Sequence, residues 1–248
     1  MVGRLLLRGM LVGLAAAILA FIFAHTFGEP MVDKAIAFEE AMDTAKGMAT
    51  EPELVSRAVQ SSVGLATGVL VYGTALGGLF SLVFAYIYGR IGSLGPRGTS
   101  AVLAVLGFVA VILVPFLKYP ANPPSVGNPD TIGMRTEIFF VMIVASIASM
   151  CVAVTVARKL WASRGGWTAS IVAGVVFLVL FGILKYLMPD INEVPEQFSA
   201  VTLWGFRVAS LGIQLVLWTT IGLGFGALVE REFVGSKPQG KVARRAKA

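Results

Sequence analysis

A chain of 248 residues that is 56% hydrophobic and only 14% charged carries more apolar surface than one water-soluble core can hide. One cysteine, Cys151, and one histidine, His25, exclude a disulfide framework and a Cys/His zinc cluster built from this chain alone. The formal net charge of +6 is sorted by membrane side rather than gathered on one surface, which argues against a nucleic-acid partner. The class is an all-α integral membrane protein, because a chain crosses lipid only where its backbone hydrogen bonds are satisfied internally.

A span needs about 20 apolar residues, and uncharged runs of that length predict a bundle of about six transmembrane helices. They fall at residues 9–27, 62–89, 99–117, 137–157, 167–187 and 207–229, inside a transmembrane domain at 1–232. Residues 233–248 read as a basic, disordered cytoplasmic tail drawn to anionic lipid. With both termini cytoplasmic, Arg4, Arg8, Arg90, Arg97, Arg158, Lys159, Arg164 and the tail lie inside, the expected positive-inside bias. Of the acidic residues only Glu230 and Glu232 share that side, so the outer face is carboxylate-rich and attracts cations.

In chain order, the run after Arg8 reads either as a first helix or as a secretory signal peptide. Its length, and the lack of a small-x-small site before Gly28-Glu29-Pro30, favour a retained helix. Gly28-Glu29-Pro30 reads as a turn, after which Met31, Val32, Ala35, Ile36 and Met42 alternate with acidic residues in an amphipathic outer helix that Gly47 ends. Glu51-Pro52-Glu53 starts the approach to the second span. There, Gly64-x-x-x-Gly68 and Gly73-x-x-x-Gly77 are small-residue packing motifs, echoed by Gly222-x-x-x-Gly226 in the last span. Pro115 is expected to bend the end of the third span, and Pro120, Pro123, Pro124 and Pro129 give a stiff extended outer loop. Arg164-Gly165-Gly166 supplies a short inner loop, and Pro189 and Pro195 mark the last outer loop.

Leu117-Lys118-Tyr119 and Leu184-Lys185-Tyr186 close the third and fifth spans alike, and Arg135 and Arg207 open the return spans. The shared plan is read either as a parallel internal duplication or as independent selection at membrane boundaries. Ionisable groups near lipid are the first candidates for function. Lys118 and Lys185 sit at helix C-terminal ends, where the dipole favours a cation, and read as anchors. Glu137 complements a helix N-terminus in the same way. Arg207 stands at an N-terminal end and calls for a carboxylate or ligand partner. His25, Glu29 and Asp33, spaced by four, form the one set with metal-like spacing, suited to a divalent transition ion, although Gly28 and Pro30 are expected to break the helix between them. No nucleophile–base set or phosphate-binding loop is present, so an enzyme is not expected.

Arg4-Leu5-Leu6-Leu7-Arg8-Gly9, Gly28-Glu29-Pro30 with Ala35-Ile36-Ala37-Phe38-Glu39-Glu40, Val114-Pro115-Phe116-Leu117-Lys118-Tyr119-Pro120-Ala121-Asn122-Pro123-Pro124, and Arg207-Val208-Ala209-Ser210-Leu211-Gly212 resemble the CbtA family of predicted cobalt transporter subunits. The resemblance runs from about residue 3 to 231, and its proline-rich segment is the most specific part. It implies a bacterial inner-membrane protein that takes up cobalt for cobalamin synthesis. It also implies a small single-span companion protein of the same system, whose terminus carries histidines. No resident cofactor is implied; the cobalt ion is the transported substrate. On this reading the acidic outer face gathers cations and the proline loops shape an entrance. The alternatives are a non-transporting membrane scaffold, or an importer component for a small organic substrate with Tyr119, Tyr186 and Trp204 as an aromatic rim.

Overall fold

The computed structural model describes residues 2–47, 54–90, 92–124 and 126–235, which are helical apart from their connecting loops. Five helices are long and apolar enough to cross a membrane. They are α1 (Val2–Ala45), α2 (Arg57–Ile87), α3 (Pro96–Lys118), α4 (Ile132–Leu187, entered through a 3-10 turn) and α5 (Ala200–Gly235). Glu51-Pro52-Glu53 and the basic tail from Lys237 to Lys247 lie outside the described residues.

The fourth helix holds two of the expected spans. Its 56 residues, if straight, would separate its ends by about 80 Å. Yet Glu193, just beyond its C-terminus, accepts a hydrogen bond of 2.6 Å from Thr131, the residue before its start. The helix therefore folds back, and the one residue with non-helical dihedrals inside it is Gly165, at φ 76° and ψ 160°. That region of backbone space is open essentially to glycine alone. The expected inner loop is thus a single-residue reversal between two arms.

The outer amphipathic helix also differs from expectation. Gly28 and Pro30 do not break the chain; α1 runs through them as one continuous helix. A π-turn at Ala24–Gly28 immediately precedes Pro30. The i→i−4 ladder is already interrupted there, so the missing proline N–H leaves little further unpaired. Pro115 in α3 follows another π-turn, Phe108–Leu113, by the same device.

Close backbone approach holds the central bundle. A Cβ on Gly77 of α2 would stand 2.1 Å from the carbonyl oxygen of Gly9, and one on Gly13 of α1 would stand 2.2 Å from that of Gly73. The motif in α2 therefore meets a second small-residue pair in α1. Ala16, Ala17 and Ala20 of α1 are fully buried beside it, so the first span is part of the core. On the other side α5 packs on α1 and α3. Gly222 meets Ala104, Gly226 meets Ser100, and the Ser100 hydroxyl donates to the Gly222 carbonyl at 2.6 Å. Phe80, Phe84 and Phe225 fill the middle in edge-to-face pairs. By contrast, α4 packs chiefly on the C-terminal half of α3 and stands to one side of the bundle.

Polar groups gather at the two ends. At one, Arg4 and Arg8 pair with Glu232, and Arg97 with Glu230, tying α1 and α3 to the end of α5. At the other end lie the two proline-bearing loops and the far part of α1, where Ala35 and Phe38 pack with Val126, Val194 and Phe198.

Candidate functional site

The two proline loops enclose a cleft of about 390 Å³ at the end of the molecule where α3 finishes and α4 and α5 begin. Its polar lining comes from Tyr119, Asn122, Arg135, Thr136, Asn192 and Arg207. Proline stiffness and a set of cross-loop bonds position these groups. Lys118 reaches Asp190 at 2.5 Å, and its side chain is only 4% exposed. The Tyr119 hydroxyl donates to the Pro189 carbonyl at 2.8 Å. Glu193 accepts from the Asn128 N–H at 2.7 Å and from Thr131. Arg135 lies 3.4 Å from Glu193 and donates to the Asn128 carbonyl. Gly127, at φ 128°, makes room for that guanidinium, because a Cβ there would stand 2.5 Å from it.

These contacts tune the loop's ionisable groups. The hydrogen bond from Lys118 and its charge hold the Asp190 carboxyl below the usual carboxylate range. The Thr131 hydroxyl, then the Asn128 N–H, do the same for Glu193. Burial pushes the Tyr119 phenol up, with Lys118 acting against it.

Arg207 receives no carboxylate among the described residues. Its guanidinium donates to the Ala121 carbonyl at 3.3 Å and to the Asn122 side-chain oxygen at 2.9 Å. Arg135 stands in the first turn of α4, but Arg207 lies about two turns inside α5, which begins at Ala200, and not at the N-terminal end the sequence suggested. Both line one cleft, whereas the two Leu-Lys-Tyr boundaries part company. Lys118 and Tyr119 are built into the loop clasp; Lys185 is exposed and Tyr186 is 89% exposed. Glu137 is exposed on α4, outside the cleft lining.

His25, Glu29 and Asp33 share the continuous helix but do not converge. The His25 ring nitrogen lies 3.1 Å from the Ser61 carbonyl, and its ring stacks on Phe21. Arg57 of α2 takes both carboxylates, Glu29 and, at 2.9 Å, Asp33. Among the described residues, no three His, Cys, Asp or Glu side chains are grouped to hold a metal ion. An arginine from a neighbouring helix neutralises the pair that the spacing offered to a cation. Arg57, Asp190 and Glu193 could not be singled out in the sequence, because their partners lie 24 to 72 residues away. Asn122 was visible only as part of the proline motif.

No curated protein and no solved structure matches the chain. The family model described as "Probable cobalt transporter subunit (CbtA)" matches residues 2–230, which takes in both proline loops and all five long helices but for the last turn of α5. The chain belongs to the CbtA family of probable cobalt transporter subunits.

Proposed function

We propose that this chain is the membrane-embedded subunit of a cobalt uptake transporter that supplies cobalamin synthesis in the bacterial inner membrane. The observation that carries the reading is the family match across residues 2–230. The chain crosses six times, the arms of α4 counting separately, with both termini in the cytoplasm. The inner end holds the basic pairs of α1, α3 and α5, which is where positive charge is retained during insertion.

One histidine and one cysteine give few soft donors for a transition ion. A small single-span companion with a histidine-rich terminus supplies them in trans. The acidic stretch of α1 beyond the membrane, including the exposed Glu39 and Glu40, raises the local cation concentration. Arg57, Lys118 and Arg135 engage Glu29, Asp33, Asp190 and Glu193, so these four carboxylates act as braces.

Radioactive cobalt flux into proteoliposomes tests the reading, with this chain alone, the companion alone and both together. Flux is expected only when both are present. Equal flux from the companion alone would leave this chain as a scaffold, and no flux from the pair in any energised condition would reject the transporter.

A further inference from the structure

We propose that the outer cleft between the two proline loops is a binding site for a small oxyanion, a carboxylate or phosphate group, gripped by Arg207. The inference goes beyond the cobalt reading and does not depend on it. Three observations converge. First, among the described residues the charged side chains lining the cleft are Arg135 and Arg207. Arg135 is matched by Glu193, whereas Arg207 has only neutral acceptors, so one positive charge is left without a counter-charge. A cation half removed from water without an anionic partner is costly, and natural sites offset that cost with a ligand.

Second, the lining offers donors. Asn122 and Ala121 give their oxygens to Arg207, which leaves the NH2 group of Asn122, a lining residue, available as a donor. Tyr119 and Thr136 spend their hydroxyl protons on the Pro189 and Ile132 carbonyls. A guanidinium fork with an adjacent amide suits a planar carboxylate or a phosphate, where two parallel hydrogen bonds form.

Third, the site is built. The cleft of about 390 Å³ falls in the size range of small-molecule pockets. Its two walls are pinned by the Lys118–Asp190 and Tyr119–Pro189 bonds, so the geometry exists before a ligand arrives. Arg207 stays partly accessible from the cleft.

The test uses the full chain in phosphatidylcholine nanodiscs, titrated with citrate or inorganic phosphate against sodium chloride of equal ionic strength, and read by calorimetry and thermal unfolding. Saturable binding above the chloride control is expected. It should weaken roughly tenfold or more in Arg207→Gln, be partly kept in Arg207→Lys, and be unchanged in Glu137→Gln. Nanodiscs containing phosphatidylglycerol separate the sources: competition with citrate identifies a lipid headgroup as occupant, and no competition identifies a soluble anion. Absence of saturable binding, or wild-type binding by folded Arg207→Gln, overturns the proposal. Where Arg207→Gln does not fold, phenylglyoxal modification of Arg207 in the wild-type protein decides. Protection by citrate supports the site, and equal modification with and without citrate rejects it.

Discussion

At the scale of single residues, the proline-loop end is organised by which charges find partners. Asp190 and Glu193 both titrate below the usual carboxylate range in the folded protein. The folded state therefore binds their protons less readily than the unfolded chain does. Their contribution is complete above the unfolded carboxylate range and is lost as pH falls through the folded values. Protection factors of residues 188–199, corrected for the intrinsic exchange rate, should accordingly be high at neutral pH and fall on acidification below the ordinary carboxylate range. Asp190→Asn should raise exchange already at neutral pH and flatten the acid response; an unaltered pH profile in that variant would show that the Lys118 bond does not hold the loop. Arg207 makes the complementary point. The sequence marked it as a cation in need of a partner, and the fold gave it an amide and a carbonyl, which is why the cleft remains positive.

At the scale of elements, glycine has opposite roles at positions that look alike in sequence. Gly77 lies against the Gly9 backbone, whereas a Cβ on Gly68 would meet no atom within 4 Å. Gly77→Ala should therefore destabilise the α1–α2 pair by about 1–3 kcal/mol through overpacking. Gly68→Ala should be neutral or stabilising, since alanine is the better helix former. Unfolding in mixed micelles checks the contrast, and equal effects at the two sites would contradict the packing described. Gly165 fails for another reason. A substituent there meets no atom, but the backbone at φ 76° and ψ 160° excludes L-residues at about 1–3 kcal/mol. Gly165→Ala should thus loosen the α4 hairpin without disturbing the α1–α2 contact, seen as a lower unfolding midpoint with unchanged cross-linking of α1 to α2. The prolines show the same dependence on context: Pro30 and Pro115 are tolerated inside long helices because a π-turn precedes each.

At the scale of the whole molecule, the central bundle of α1, α2, α3 and α5 and the flanking α4 hairpin are joined mainly at the end that carries the proline loops. The hairpin places Gly165 at the end of the molecule opposite the proline loops. On a Cys151→Ser background, Ser93→Cys and Ser163→Cys should therefore react with a membrane-impermeant maleimide only from the cytoplasmic side, and Ser199→Cys only from the outside. Labelling of Ser163→Cys from outside would place the α4 reversal on the wrong side and reduce the number of crossings. The same two-part layout sets the proline-loop cleft at the junction of bundle and hairpin, lined by both loops, the first turns of α4 and Arg207 of α5.

The membrane class follows from the sequence alone, and the expected spans and side preference of the basic residues are read from it. Each is a property of local runs: apolar length against bilayer thickness, and the cost of charge in lipid. The proline motif that runs from Val114 to Pro124 was equally legible, because it is contiguous. The tertiary structure decided the rest by bringing distant segments together. It carried α1 through Pro30, and gave Glu29 and Asp33 to Arg57 rather than to His25. It also closed α4 into a hairpin at one glycine, built Lys118 into a clasp while leaving Lys185 outside, and set Arg135 and Arg207 on one cleft. Pairing between charges tens of residues apart depends on which helix faces meet, and for α1 and α2 that is fixed by backbone approach at Gly9, Gly13, Gly73 and Gly77 rather than by the charged residues themselves.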